Sequence, residues 1–339
     1  IGSPDPYGKQ IDGMGAATSS TSKVVLVSKS SRPDCDVDYL FGQVRIDAPL
    51  IDWSGNCGNL TTAVGPFAIS EGIVNAPRDG IAVVRIWQAN IGKRILAHVP
   101  MRSGQVVEEG DFELDGVTFP AAEVKLEFMD PGAEGAMFPT GSVIDLLKIE
   151  NQTIEATLIN AGNPTIFIAA SSLGLRGTEM QDDINGNAAL LDRAEAIRAH
   201  GAVAMGLAAS AAEATAKRRH TPKLAFIAPP AGYTASSGKK IDAGSIDMLA
   251  RILSMGVLHH AMTGTGGVAI AVAAAIPGTL VQRTARPNAD GRIRFGHPSG
   301  ILNVGAQARE EGGQWVVSKA LMSRSARRLM EGWVRVPDA

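Results

Sequence analysis

"DWSGNCGNLTTAVGPFAI", Asp52 to Ile69, sets a cysteine inside a glycine-asparagine loop directly ahead of an apolar, helix-like run. A loop such as Gly55-Asn56-Cys57-Gly58-Asn59 can aim several backbone N–H groups one way, and a helix behind it adds the positive end of its dipole. The place suits an anion, a thiolate, or both. The same order returns in "MTGTGGVAIAVAAAIPG", Met262 to Gly278, where small residues and glycines again run into an apolar helix. This weak internal repeat predicts two halves, each a β-rich shell around one buried helix whose N-terminus is a glycine loop.

Working outward, "KVVLVS", "GIAVVRIWQA", "RILAHVP", "AEVKLEFM", "PTIFIAA" and "KLAFIAP" read as strands by β-branched content, alternation and turn punctuation. Further helices are expected over Asn187 to Ala199, Ala202 to Lys217 and Ser245 to Met255. A boundary near Asn151 divides the chain into domains 1–150 and 151–339, with the last residues expected to pack back on the first domain.

The 339 residues, 45% hydrophobic and 19% charged, are enough to bury the cores of two domains. A formal charge of -2 argues against a nucleic-acid or polybasic membrane surface, so any charged ligand must be met by local groups. The most apolar run, Val268 to Ile276, falls short of the roughly 20 residues a bilayer span needs. Cys35 and Cys57 are too few for a disulfide framework, and a reducing, cytoplasmic compartment is expected. The chain begins at Ile1, which leaves a removed leader open.

Among candidate site residues Cys57 stands first. A free cysteine is usually a small buried hydrophobe, but two glycines, Asn56 and Asn59 supply donors and room, and a helix start favours the thiolate. Lys23 joins a hydroxyl-rich loop (Ser20, Thr21, Ser22) to an apolar strand; held over a desolvated pocket it would serve as a general base. On these grounds Lys9 ranks equally. Gly264-Thr265-Gly266-Gly267 resembles an anion cradle but lacks the dinucleotide spacing G-x-G-x-x-G. His259 and His260 read as structural, since no ligand cluster accompanies them, and no metal site is expected. "GNPT" (162–165) and "GHPSG" (296–300) are turns that could bring Asn163, Thr165 or Ser299 to a cleft, and "KRRH" (217–220) reads as a solvated helix end.

Taken together, "GSPDPYGKQIDGMGAATSSTSK", "DWSGNCGNLTTAVGPFAI", "NAGNPTIFI", "HHAMTGTGGVAIAVAAAIPGT" and "FGHPSGILNVGAQ" resemble the PrpF family over nearly the whole chain. The resemblance implies an α+β fold of the diaminopimelate epimerase-like type: two similar, barrel-like β-rich domains, each wrapped around a central helix, with the active site in the cleft between them. It implies a cofactor-independent isomerase that shifts a proton allylically in an unsaturated di- or tricarboxylate such as 2-methylaconitate, of the methylcitrate route. Lys23 becomes the acid/base partner of Cys57. Substrate binding falls to Ser22, Asn56, Gly58, Asn59, Asn163, Thr263, Gly264, Thr265, Gly266, Gly267 and Ser299. The related epimerases carry a cysteine at each helix start, whereas the second position here is Thr263, which weighs against a two-thiol racemase. Family members usually begin with a further segment bearing a Gly-Gly-Thr-Ser-Lys motif, so the first domain is expected to lack its first strands. No cofactor, nucleic acid or membrane is implied, and a homodimer is an allowed assembly.

Rival readings are an oxalomesaconate-type keto–enol tautomerase, an amino-acid epimerase, a non-catalytic carboxylate-binding protein and, last, a cysteine hydrolase, for which no histidine motif pairs with Cys57.

Overall fold

The computed structural model describes residues 1–53, 55–131, 136–285 and 292–335. Among these, sixteen strands form one long mixed sheet. One end is built from Lys23–Lys29, Val37–Val44, Gly80–Gln88, Lys93–Arg102 and Val124–Met129. The other runs through Gly300–Glu311, Arg292–His297, Met248–Ser254, Lys223–Ala228, Asn163–Ala169 and Gln152–Ala161 to Asp145–Ile149. The two ends meet where Gln314–Arg324 pairs antiparallel with Val124–Met129, Arg324 opposite Val124. Residue 151 lies in the turn of the hairpin joining 145–149 to 152–161.

Each end curls around one helix. Gly58–Ser70 packs against the strands of the first half, and Gly264–Ala275 against those of the second, chiefly 300–311 and 314–324. In the second helix Gly264 through Ala273 are all buried, as an element apolar on every side must be. The first keeps Phe67 half exposed and carries Pro66 in its interior. This is the diaminopimelate epimerase-like architecture, mostly sheet with few helices, that the resemblance implies.

Strand periodicity decides which residues reach the helices. In Gly80–Gln88 and Lys93–Arg102 burial alternates, one face inward and one outward. Lys223–Ala228 is buried on both faces: Ala225 and Ile227 join the core around the second helix, while Leu224, Phe226 and Ala228 pack with Ile197 of an outer helix, Ala188–Ala204. Lys223 is in phase with Ala225 and Ile227, and so lies on the side of the buried helix. Lys23 is likewise in phase with Val25 and Val27, which pack on the core around both helices, while Leu26 between them is exposed.

Two helix expectations are corrected. Ser245 to Met255 contains the strand Met248–Ser254 instead, antiparallel to 223–228 and parallel to 292–297. A central strand covered on both faces has no polar alternation, and its continuous apolar run imitates a helix. The break expected near Gly201 is absent, because a Cβ there would lie 2.3 Å from Ile166 Cδ1; glycine lets the helix cross the sheet closely. The helix ends at Met205 and Gly206 (φ +71°), and Ala211–Lys217 follows as a separate short helix.

Candidate active site

The two helix tips abut. A Cβ on Gly264 would stand 2.7 Å from Asn59 N and from Gly58 C, and one on Gly58 would stand 3.0 Å from Gly264 C. Only glycine on both sides allows the two positive helix ends to converge on one point. Cys57 is the N-cap of the first helix, yet its side chain makes no capping bond. Its carbonyl is pinned instead, accepting from Tyr39 Oη (3.1 Å), Thr61 N (3.1 Å) and Thr61 Oγ1 (3.0 Å). That fixes the backbone and leaves the sulfur on a cavity wall. Beside it Asn56 is 4% exposed, and among the described residues neither its Oδ1 nor its Nδ2 has a hydrogen-bond partner.

Two neighbouring cavities lie at the tips and share lining residues. The inner one, ≈ 50 Å³, is bounded by Lys23, Asn56, Cys57, His220, Lys223 and Thr263 among others. The outer, ≈ 230 Å³, is bounded by Lys23, Asn59, His259, His297 and Arg324, so that Lys23, Asn59 and His259 stand on both. Among the described residues no carboxylate lines the inner cavity. The outer has Asp115, which is bound to Lys239 Nζ (3.0 Å) and to Ile301 N (2.7 Å).

Three cationic side chains therefore surround a space with little negative charge of its own. Burial, reinforced by Lys23 and opposed by Cys57, pulls the Lys223 ammonium down to about 8. Burial brings Arg324 down to about 10, against the pull of Cys57, so its guanidinium stays charged at neutral pH. Its Nε donates to Asn59 Oδ1 at 3.1 Å and ties the last strand to the first helix. His220 is pushed to about 3, first by Lys223 and then by burial, and His259 to about 3, first by burial and then by His260. Both imidazoles are neutral at physiological pH. Among the described residues no group of three or more His, Cys, Asp or Glu is placed to hold a metal.

Of the expected site residues, Lys23, Cys57, Asn56, Gly58, Asn59, Thr263, Gly264 and Thr265 come together on the inner cavity. The others stand behind it. Ser22 is fully buried and donates to Gln10 Oε1 at 3.0 Å, while Ser19 and Ser20 take its place on the wall. Asn163 Nδ2 donates to Thr265 Oγ1 (3.1 Å), and Ser299 Oγ to His260 O (2.6 Å). Gly266 faces Ile252 and Thr263, and Gly267 faces Leu302 and Met322. Lys9 is exposed, with its backbone N–H on Asp5.

The sequence of a family described as PrpF protein matches residues 1–337. The chain belongs to the PrpF family. It is 64% identical to the 2-methyl-aconitate isomerase of Cupriavidus necator over 99% of this chain and 87% of that protein. It is 63% identical to the enzyme of that name from Shewanella oneidensis, with the same coverage. Among solved structures, methylitaconate-delta-isomerase superposes with a TM-score of 0.84 at 39% identity, over 98% of this chain and 85% of the other.

Four lining residues were missed by the reading of the PrpF-type motifs. Lys223 opens the apolar strand "KLAFIA" just as Lys23 opens "KVVLVSK", a signal that the parallel could have carried. His220 closes the basic run 217–220: Lys217, Arg218 and Arg219 are exposed as expected, but His220 turns in, its Nε2 buried and without a partner among the described residues. His259, read as structural, lines both cavities while stacking on His260 at 4.5 Å. Arg324 carried no local signal.

Proposed function

We propose that this PrpF-family protein is a cofactor-independent isomerase that moves a proton allylically in an unsaturated tricarboxylate, with 2-methylaconitate as substrate, and that Lys23 and Cys57 handle the proton. The observation that carries the reading is the meeting of an amine and an uncapped thiol on one cation-rich cavity at two converging helix tips. The names of the relatives at 63% and 64% identity support the substrate.

The difficult step is removal of a proton from carbon in a molecule that is already a polyanion. The C–H electron pair spreads over the double bond into a carboxylate, and a new C–H bond forms at the far allylic carbon when the proton returns. Fixed positive charge where the dienolate develops lowers that barrier without reorganisation, each preorganised donor contributing about 3 kcal/mol. Lys23 in its neutral form takes the proton at one carbon and becomes the ammonium, and Cys57 acts at the other end of the allylic system. Thr263 takes no proton, because a threonine hydroxyl is far too weak an acid and base at neutral pH, and its oxygen serves instead as the acceptor for Gly266 N. The two halves of the sheet act as the two domains that enclose the substrate, and the strand 145–149 goes with the second half, since it pairs with 152–161. The two free cysteines support a reducing compartment, the cytoplasm.

Lys23→Ala tests the reading. Exchange of substrate hydrogen for solvent deuterium, followed by NMR, should slow by about 10²–10⁴-fold, the usual contribution of a general base. Exchange at the wild-type rate would remove Lys23 from the mechanism.

A further inference from the structure

Residues 296–300, Gly-His-Pro-Ser-Gly, turn the strand Arg292–His297 into Gly300–Glu311 and have a front and a back. On the front, the His297 ring forms part of the outer cavity wall. The Ser299 N–H donates to His297 Nδ1 at 3.2 Å, and burial, then Arg324, pushes the imidazole to about 3. The ring is therefore neutral, with its one proton on Nε2. Ser299 Oγ donates to the carbonyl of His260, which stands on the same wall (2.6 Å). The back is gripped through its carbonyls. Arg251 Nη1 donates to Gly296 O (3.2 Å) and Ser236 N to Pro298 O (2.9 Å), while Tyr233 Oη lies 2.7 Å from His297 O and 2.6 Å from Gly300 O.

Arg251 is the bulkiest of the fully buried side chains. It is in phase with Leu249 and Leu253, which pack in the outer core, so it lies on the face of the sheet away from the buried helix. Among the described residues no carboxylate is paired with it, and its Nη2 has no partner. The nearby Glu179 carboxylate accepts instead from the backbone N–H groups of Arg176 and Gly177. The guanidinium donates only to carbonyls, Glu179 O (2.7 Å), Ala250 O (3.0 Å) and Gly296 O, and lies over the Tyr233 ring at 5.0 Å. Burial lowers it to about 10, which leaves it charged at neutral pH. A buried cation without a counter-ion costs stability that an apolar side chain of similar volume would not. What such a side chain could not supply is a rigid planar fork that fixes three stretches of backbone at once.

We propose that Tyr233 and Arg251 are positioning residues of the active site: from the far face of the sheet they hold residues 296–300 so that the His297 Nε2–H meets the substrate in the outer cavity. The grip accounts for the uncompensated arginine, and for a phenol oxygen set between two carbonyls of a single turn. Neither side chain lines the outer cavity, so both act through His297. The inference rests on the proposed isomerase only for the reaction by which it is assayed.

The test is a double-mutant cycle with His297. Tyr233→Phe keeps the ring under the guanidinium and removes only the oxygen. Its kcat/KM for 2-methylaconitate should fall about 10-fold, the scale of a small misplacement in an active site. In a His297→Ala background the same change should cost about twofold or less, because the group it aims is gone. Arg251→Lys, which keeps the charge but not the fork, should lose activity in the same His297-dependent way. Nitrogen NMR of the wild type should show His297 as the Nε2–H tautomer alone, and Tyr233→Phe should move it towards a mixture, which a mere loss of stability would not do. Activity within about twofold of wild type in Tyr233→Phe, or equal losses with and without His297, would make the grip purely structural and overturn the proposal. The same cycle read as Kd for propane-1,2,3-tricarboxylate, a saturated probe, by calorimetry needs no turnover. If the wild type binds the probe but exchanges no hydrogen into 2-methylaconitate, the isomerase reading fails and the cycle in Kd still decides the role of Tyr233 and Arg251.

Discussion

At Gly58 the residue before the helix leaves a thiol on the cavity wall; at Gly264 the residue before the helix turns its hydroxyl back on its own backbone. Cys57 makes no side-chain cap, whereas Thr263 Oγ1 accepts from Gly266 N at 3.1 Å. The surroundings of the two tips are otherwise alike, with a glycine at the contact and a lysine opening a nearby strand. The difference teaches how one scaffold separates chemistry from stability. A capping oxygen satisfies an orphan N–H but is tied up by doing so, while an uncapped cysteine leaves the first-turn donors and the sulfur to a ligand. The first tip gives up a cap to keep a reactive group, and the second does the reverse.

The comparison breaks most visibly at Cys57. Cys57→Ala should lower the rate of solvent-hydrogen exchange into 2-methylaconitate by about 10²–10³-fold, within the range for a lost general acid or base. Because the side chain caps nothing, the melting temperature should hardly change. Loss of stability together with activity would mean that the sulfur is a packing atom.

The contact between the tips is the next largest effect. Gly264→Ala puts a Cβ 2.7 Å from backbone atoms of Gly58 and Asn59, which cannot swing aside as a side chain could. The helices must part, at a cost of about 3 kcal/mol in unfolding free energy by denaturant titration. Gly267→Ala, one turn on, is the control: its Cβ meets nothing closer than 3.4 Å, and the gain in helix propensity makes it neutral or slightly stabilising. Equal losses in the two variants would show that the tip contact has no special role.

These residues were unequally legible in the sequence. The two core helices could be read because glycine loops followed by apolarity on every side have few other solutions. Cys57 was visible from its flanking glycines and asparagines. Lys223 was not, because "KLAFIA" is apolar at odd and even positions alike, so nothing local says which face the lysine shares. The same symmetry made 248–254 look helical. Arg324 sits among other arginines and lysines near the end of the chain, and only the pairing of its strand with 124–129 carries it to Asn59. Long-range register, absent from any local window, selects one arginine out of several.

The smallest effect belongs to the second tip. Thr263→Ala removes an N-cap acceptor from a helix that is buried along nearly its whole length, so the stranded Gly266 N–H has no water to turn to. A loss of about 1 kcal/mol is expected in urea unfolding, at the upper end if the amide stays dry. Thr263→Ser should restore most of it, since the oxygen is kept, and Thr263→Val should not, although its shape is nearer to threonine. Thr263→Cys is the informative variant. A thiol caps poorly, so stability should fall about as far as in the alanine variant. With a second sulfur at the cavity, exchange of hydrogen in the Cys57→Ala background should recover in part. Recovery would mean that the two tips are chemically interchangeable and that only the cap separates them; none would mean that the position of the substrate, fixed by the lysines and Arg324, makes the first tip the sole place where a thiol can act.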